Sequence, residues 1–135
     1  MMRVGSQWVR EQVYAGVVAA GYDDLNPAHV FVFQFPTPEG LRPSELADTL
    51  QITKQSVNDL LAHLEQRGYI TREPDPTDGR ARVVRLTAKG RKLHATVYRE
   101  AGAAELRVAD LLGARHFAQL RNGLEELTRR LNSPS

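Results

Sequence analysis

The 135 residues are 41% hydrophobic and 25% charged, enough for one cored domain and a composition that argues against intrinsic disorder. The absence of cysteine excludes disulfides, thiolate metal sites and thiol-based switching, and the longest nearly apolar run near the start, Ala15 to Ala20, is far short of a membrane span. The net charge of +2 hides an asymmetry. Between Arg67 and Lys92 stand eight basic residues (Arg67, Arg72, Arg80, Arg82, Arg85, Lys89, Arg91 and Lys92) and three acidic ones. Ten of the eighteen basic and thirteen of the sixteen acidic residues lie elsewhere. Positive charge concentrated on one segment of a slightly acidic body is what a polyanion-binding face needs. No charged leader followed by an apolar stretch opens the chain, so no secretory signal is read and a cytoplasmic location is expected.

In chain order, Trp8, Val9, Val13, Val17 and Val18 have helical spacing and Gly21 is a natural stop, predicting a helix over 7–20. Asn26-Pro27 has the form of a cap followed by proline at the first helical position. The next run, Val30 to Phe35, is β-branched and aromatic enough to be a strand, while the cap and proline argue for a buried helix; both readings stand on the residues alone. Residues 36–40 form a loop. Pro43 opens a helix over 44–50 whose inner face is Leu46, Ala47 and Leu50, and Gln51-Ile52 make a turn. Thr53 caps a second helix reaching about Arg67, where Val57, Leu60, Leu61 and Leu64 form one apolar stripe. At 100° per residue that stripe turns Gln55, Asp59, Ala62 and Gln66 outward, with Ser56 and Asn58 on the flanks and Lys54 nearer the base.

Gly68 ends this helix. Tyr69–Glu73 and Arg82–Leu86 read as paired strands around a tip of Pro74, Asp75, Pro76, Thr77, Asp78, Gly79 and Arg80. Thr87 caps a long helix over 88–112, about 37 Å at ~1.5 Å per residue. Gly113 breaks it, and a last helix over 115–131 carries Phe117, Leu120, Leu124, Leu127 and Leu131 as a stripe.

Ser44-Glu45-Leu46-Ala47, Ile52-Thr53-Lys54-Gln55-Ser56-Val57 and Leu64-Glu65-Gln66-Arg67-Gly68-Tyr69-Ile70 resemble the helix-turn-helix of the MarR family of bacterial winged-helix regulators. Arg72 to Arg80, with Asp78-Gly79-Arg80, and the closing Leu86-Thr87-Ala88-Lys89-Gly90 are similar to that family's wing. The strong match covers about residues 41–90. The resemblance implies a mainly α fold with a small β-hairpin wing, helical structure over 27–35, and a homodimer on double-stranded DNA. The expected organisation is a single domain over 1–135, with a winged-helix lobe at about 26–90 and dimerisation helices at about 1–22 and 91–132. The apolar surface of the terminal helices independently suggests a dimer. A symmetric dimer would set two recognition helices about 34 Å apart on a roughly palindromic operator.

Gln55 and Asn58 carry amides able to pair with adenine edges, and Ser56 reaches base or phosphate. Thr53, Lys54 and Ser44 suit phosphate positioning. Arg80 matches the family's minor-groove arginine, with Arg72 and Arg82 flanking it, and Asp78 is expected to orient the tip. Two positions depart from the family pattern. Asp59 stands where arginine is frequent, so it would repel phosphate unless it accepts from cytosine N4 or pairs with a neighbour. Arg42 replaces a Ser/Thr cap, leaving that helix start poorly capped but offering a phosphate contact.

The resemblance also implies release of DNA by a small aromatic effector bound between the dimer helices and the DNA-binding lobe, with Trp8, Tyr14, Tyr22, His29 and Phe33 as candidate contacts. The plainer reading of these side chains, Trp8, His29 and Phe33 above all, is that they are core or structural. No cofactor is expected, and His29, His63, His94 and His116 lack paired metal-ligand spacing. A winged-helix protein-interaction module is the competing reading, motivated by Asp59. No nucleophile–base set or phosphate-cradling glycine loop supports an enzyme.

Overall fold

The computed structural model describes residues 2–33 and 37–133. Helix α1 (Met2–Ala19) starts five residues before the expected point. The apolar residues that mark the predicted start define where burial begins, whereas the backbone ladder extends further at one hydrogen bond per residue. Val13 and Val17 are fully buried; Val4, in the extension, is exposed.

The ambiguous apolar run is resolved as helix α2 (Pro27–Val32). Asn26 Oδ1 accepts from the His29 N–H at 3.1 Å, and His29 Nδ1 accepts in return from the Asn26 N–H at 3.1 Å. This reciprocal cap overrides the strand propensity of Val30 to Val32, because it satisfies helix-terminal donors that a strand would not present. Val30, Val32 and Phe33 are buried; the rest of the expected helix, 34–35, lies outside the described residues.

Helices α3 (Pro43–Leu50) and α4 (Lys54–Gln66) form the helix-turn-helix. Gln51 turns the corner with φ 58°, and its side-chain Nε2 donates to the Asp48 carbonyl at 2.7 Å. Val57, Leu61 and Leu64 are buried and Leu60 partly so, as the stripe requires. Gly68, at φ 82°, turns the chain out of α4 into an antiparallel pair, β1 (Ile70–Asp75) and β2 (Asp78–Leu86). Leu41 and Gly40 add to the outer edge of β2, where the Val84 N–H donates to the Leu41 carbonyl at 2.9 Å and the Gly40 N–H to the Val84 carbonyl at 2.7 Å.

Helix α5 (Ala88–Asn132) begins where Thr87 Oγ1 accepts from the Gly90 N–H at 3.0 Å, and it is interrupted at Gly113 (φ 79°, ψ 158°), the expected break. The chain divides into two compact units within this helix. The first, up to Ala101, has one core of Val13, Val17, Phe33, Leu46, Leu61, Leu64, Ile70, Val84, Leu93 and Val97. The second, from Gly102, is helical on both sides of Gly113 and exposes Leu106, Leu111, Leu120, Leu124, Leu127 and Leu131. No helix among the described residues is long and apolar enough to cross a membrane.

At Gly90 a Cβ would run into the carbonyl oxygen of Tyr69, a backbone atom with no freedom to rotate aside. Gly90→Ala is therefore expected to destabilise the first unit by about 1–3 kcal/mol, the usual range for overpacking. A lowered chemical-denaturation midpoint checks it; an unchanged midpoint would show that α5 and the hairpin part without strain.

Candidate nucleic-acid interface

The cap of α4 is built from Thr53 and Ser56. Thr53 Oγ1 accepts from the Ser56 N–H at 3.1 Å and donates to Ser56 Oγ at 2.9 Å, leaving the Ser56 hydroxyl proton directed elsewhere. Beyond the cap, Lys54, Gln55, Ser56 and Asp59 are exposed, while Asn58 is half-buried on the side facing the hairpin. Asp59 pairs with a neighbour: Gln55 Nε2 donates to Asp59 Oδ1 at 3.0 Å, one helical turn away.

Arg72, on β1, reaches across to α4. Its Nη1 donates to Asn58 Oδ1 at 3.2 Å and its Nη2 to the Asn58 carbonyl at 3.3 Å, while Nε lies 3.8 Å from Glu65 Oε1, close enough for charge attraction only. Expected as a flanking backbone contact, Arg72 instead joins hairpin to helix. Arg82 Nη1 donates to the Arg72 carbonyl at 2.9 Å, adding a second layer to this junction.

The regular ladder runs from Ile70 opposite Leu86 to Pro74 opposite Arg82, close to the expected strands. Beyond a register shift, Asp75 also pairs with Asp78 around Pro76 and Thr77, which leaves Gly79, Arg80 and Ala81 as a bulge. Asp75 Oδ1 accepts from the Thr77 N–H at 2.9 Å and from the Thr77 hydroxyl at 2.8 Å, which closes the turn locally. Asp78 Oδ1 accepts from the Arg80 N–H at 3.1 Å. Asp78 thus holds the Arg80 backbone, and the exposed Arg80 lies in the bulged end of β2 beside the turn.

Arg42 also differs from expectation. Its Nε and Nη2 lie 2.8 and 2.7 Å from Asp75 Oδ2, so the guanidinium is a strut between the start of α3 and the hairpin rather than an unengaged phosphate contact. The pair raises the Arg42 pKa, through the hydrogen bond and then the charge of Asp75. The Asp75 carboxyl is pushed down to about 2, first by the Thr77 N–H, then by the Thr77 hydroxyl and Arg42. The strut joins residues 33 positions apart and had no local sequence signal. Arg42 makes no side-chain cap, as expected; its N–H donates to Glu45 Oε1 at 2.9 Å. Ser44 is half-buried at the start of α3.

Glu39 is a further residue that sequence patterns did not reveal. Its Oε2 accepts from the Leu86 N–H at 2.6 Å and its Oε1 lies 3.4 Å from Arg85 Nη1, fastening the loop to the base of the hairpin. Lys89 Nζ donates to the Arg67 carbonyl at 2.7 Å and sits 4.2 Å from the Tyr69 ring centroid. Tyr69 is buried and donates to Asp24 Oδ1 at 2.8 Å; burial and then that hydrogen bond push its pKa up.

The effector candidates are mostly engaged in the fold. Tyr14 donates to the Leu25 carbonyl at 2.9 Å, Phe33 is fully buried, and Trp8 is half-buried on α1. Tyr22 lies 6.2 Å from Tyr69, ring to ring. His29 completes the cap of α2 and stacks on His63 at 4.1 Å; burial, then His63, hold its pKa below the usual histidine range.

A helix-turn-helix with an exposed second helix, braced by a basic two-stranded hairpin, defines the winged-helix class. A MarR family model matches residues 24–81, and an HTH-type transcriptional repressor of Mycobacterium tuberculosis is 31% identical over 127 residues, covering 94% of this chain and 89% of the relative. The chain belongs to the MarR family, whose matched relatives are transcriptional regulators and not enzymes. A match to the transcriptional regulator HosA of Escherichia coli, 34% identical over 71 residues, spans about half the length of each protein.

Among solved structures, the transcriptional repressor CouR bound to a 23-mer DNA duplex superposes with TM-score 0.70 at 27% identity, covering 94% of this chain and 89% of that one. A MarR family protein of M. tuberculosis in complex with salicylic acid superposes with TM-score 0.67 at 30% identity, covering 93% and 92%.

The Asp75 carboxylate, with its lowered pKa, stabilises the fold while it is ionised. That contribution is complete above the ordinary carboxylate range near pH 4 and is lost as pH falls through about 2. Asp75→Asn is therefore expected to be less stable than the parent at pH 6, with the difference shrinking between pH 4 and 2. Denaturation midpoints of both proteins across that range check it; a pH-independent difference would assign the effect to packing.

Proposed function

We propose that this chain is a homodimeric, sequence-specific repressor whose two α4 helices enter successive major grooves of a roughly palindromic operator, with Arg80 and Arg82 gripping the flanking backbone or minor groove. The observation that carries this reading is the placement of α4. Its apolar stripe is buried and its polar face is exposed, while the Arg-rich hairpin is joined to its side through Arg72 and Asn58. A helix and a slim hairpin held at one angle suit the wide groove and the adjacent narrow groove or backbone. The DNA-bound form of CouR supports this use of the fold.

Lys54 and Ser44 serve phosphate positioning, Ser56 reaches base or phosphate, and Thr53 acts through the helix start. Arg42 positions the hairpin. The apolar stripe of Leu120, Leu124, Leu127 and Leu131 and the exposed Leu106 and Leu111 offer the surface that a second copy would cover. Each copy contributes one domain, with the lobe at about 26–90 and pairing helices at about 1–22 and 91–132. A small aromatic effector fits the family, as the salicylic acid complex of the mycobacterial relative supports, and the half-buried Trp8 is the contact from which to begin.

Binding to duplexes from the chain's own upstream region is expected to weaken steeply between about 50 and 200 mM salt through counterion release. Arg80→Ala should lower affinity for all bound sequences and reduce the slope of log affinity against log salt by about 1. Fluorescence anisotropy provides both values. Salt-insensitive or absent binding by the parent would overturn the reading.

A further inference from the structure

The side-chain pairing on α4 has consequences for which bases it reads, given the DNA-binding function proposed above. A guanidinium only donates hydrogen bonds, so the Asn58 atom facing Arg72 Nη1 at 3.2 Å must be the amide oxygen. Its NH2 group therefore points away from Arg72, and the guanidinium takes one of the two lone pairs of the oxygen and fixes the plane of the amide. A carboxylate only accepts, so the Gln55 atom facing Asp59 Oδ1 at 3.0 Å must be the amide nitrogen. This leaves Gln55 Oε1 and the second Asp59 oxygen as acceptors on the exposed face of α4, with one Gln55 Nε2 hydrogen still to donate.

These two acceptors, one bearing a negative charge, need a donor opposite them. In the major groove only cytosine N4 and adenine N6 donate; guanine N7 and O6 and thymine O4 all accept and would repel the carboxylate. Adenine sets its N7 acceptor beside N6, so one of the two protein acceptors would face another acceptor. Cytosine N4 has an acceptor, guanine O6, on one side only, whereas adenine N6 lies between N7 and thymine O4. We infer that Asp59, with Gln55 held against it, is a specificity-determining residue that selects a cytosine in each half-site. Loss of the Gln55–Asp59 contact has a definite consequence: without Asp59 the Gln55 amide is released and regains the two-point geometry suited to adenine N6 and N7.

Selection of bound duplexes from a randomised library, using the full-length parent, Asp59→Ala and Asp59→Asn, tests this directly. The parent should enrich sites with one half-site position dominated by cytosine, and replacing that C·G pair by T·A should weaken binding about tenfold. Asp59→Ala should keep salt-sensitive binding and the other positions of the site, but change the preference at that position from cytosine to adenine. Asp59→Asn, which keeps the shape and loses the charge, should tolerate purines there. Salt-sensitive binding by the parent with no cytosine position, or with one that both variants retain, overturns this inference and leaves the DNA-binding reading intact. No duplex binding by the parent overturns both.

Discussion

Arg72 is the side chain on which the site depends. It leaves a strand of the hairpin and ends on one residue of the recognition helix, taking both the side-chain oxygen and the main-chain carbonyl of Asn58. A planar guanidinium with diverging donors can fix two groups at once, which an ammonium could do only without the directional geometry. The same contact sets the angle between helix and hairpin and the rotamer of an amide on the helix flank. Arg82, bonded to the Arg72 carbonyl, ties the second strand into the arrangement.

At its far end the hairpin is held by a different pair. Asp75 closes the turn through Thr77 with one oxygen and receives Arg42 from the start of α3 with the other. Between these two attachments the Arg80 region is exposed, yet its backbone is held by Asp78. The basic hairpin is thus restrained by the two Asn58 oxygens on one side and by the Asp75 carboxylate on the other. A segment with a large positive excess is easily read as an open array of cations. Here Arg42, Arg72 and Arg85 are all held to protein partners, and Arg80 is the clearest exposed cation of the hairpin.

Much of the fold was legible from local patterns. The stripe of Val57, Leu61 and Leu64 gave the orientation of α4, Thr53 its start, Gly68 its end and Gly113 the interruption of α5. Each is a short-range effect in which a helical period, a capping hydroxyl or a glycine at positive φ acts within a few residues. Less legible was the run from Val30, where β propensity and helix capping conflict; the reciprocal Asn26–His29 bonds decided it. The prolines and glycine of the hairpin tip suggest an open loop of seven residues, whereas the Asp75–Thr77 bonds and the Asp75–Asp78 pair order one side of it and leave residues 79–81 bulged on the other.

The order of the elements, the inward and outward faces of α4 and the position of the positive charge all follow from local patterns, since periodicity and composition are carried by neighbouring residues. Which polar groups are already engaged depends on contacts between distant parts of the chain. Arg42 with Asp75 and Arg72 with Asn58 join positions 33 and 14 residues apart, and no local pattern records such a pairing. The physical reason is that a hydrogen-bonding side chain carries no mark of its partner in its own identity. Gln55 and Asn58 read alike as amides until the carboxylate beside one and the guanidinium beside the other set which of their atoms are engaged within the protein.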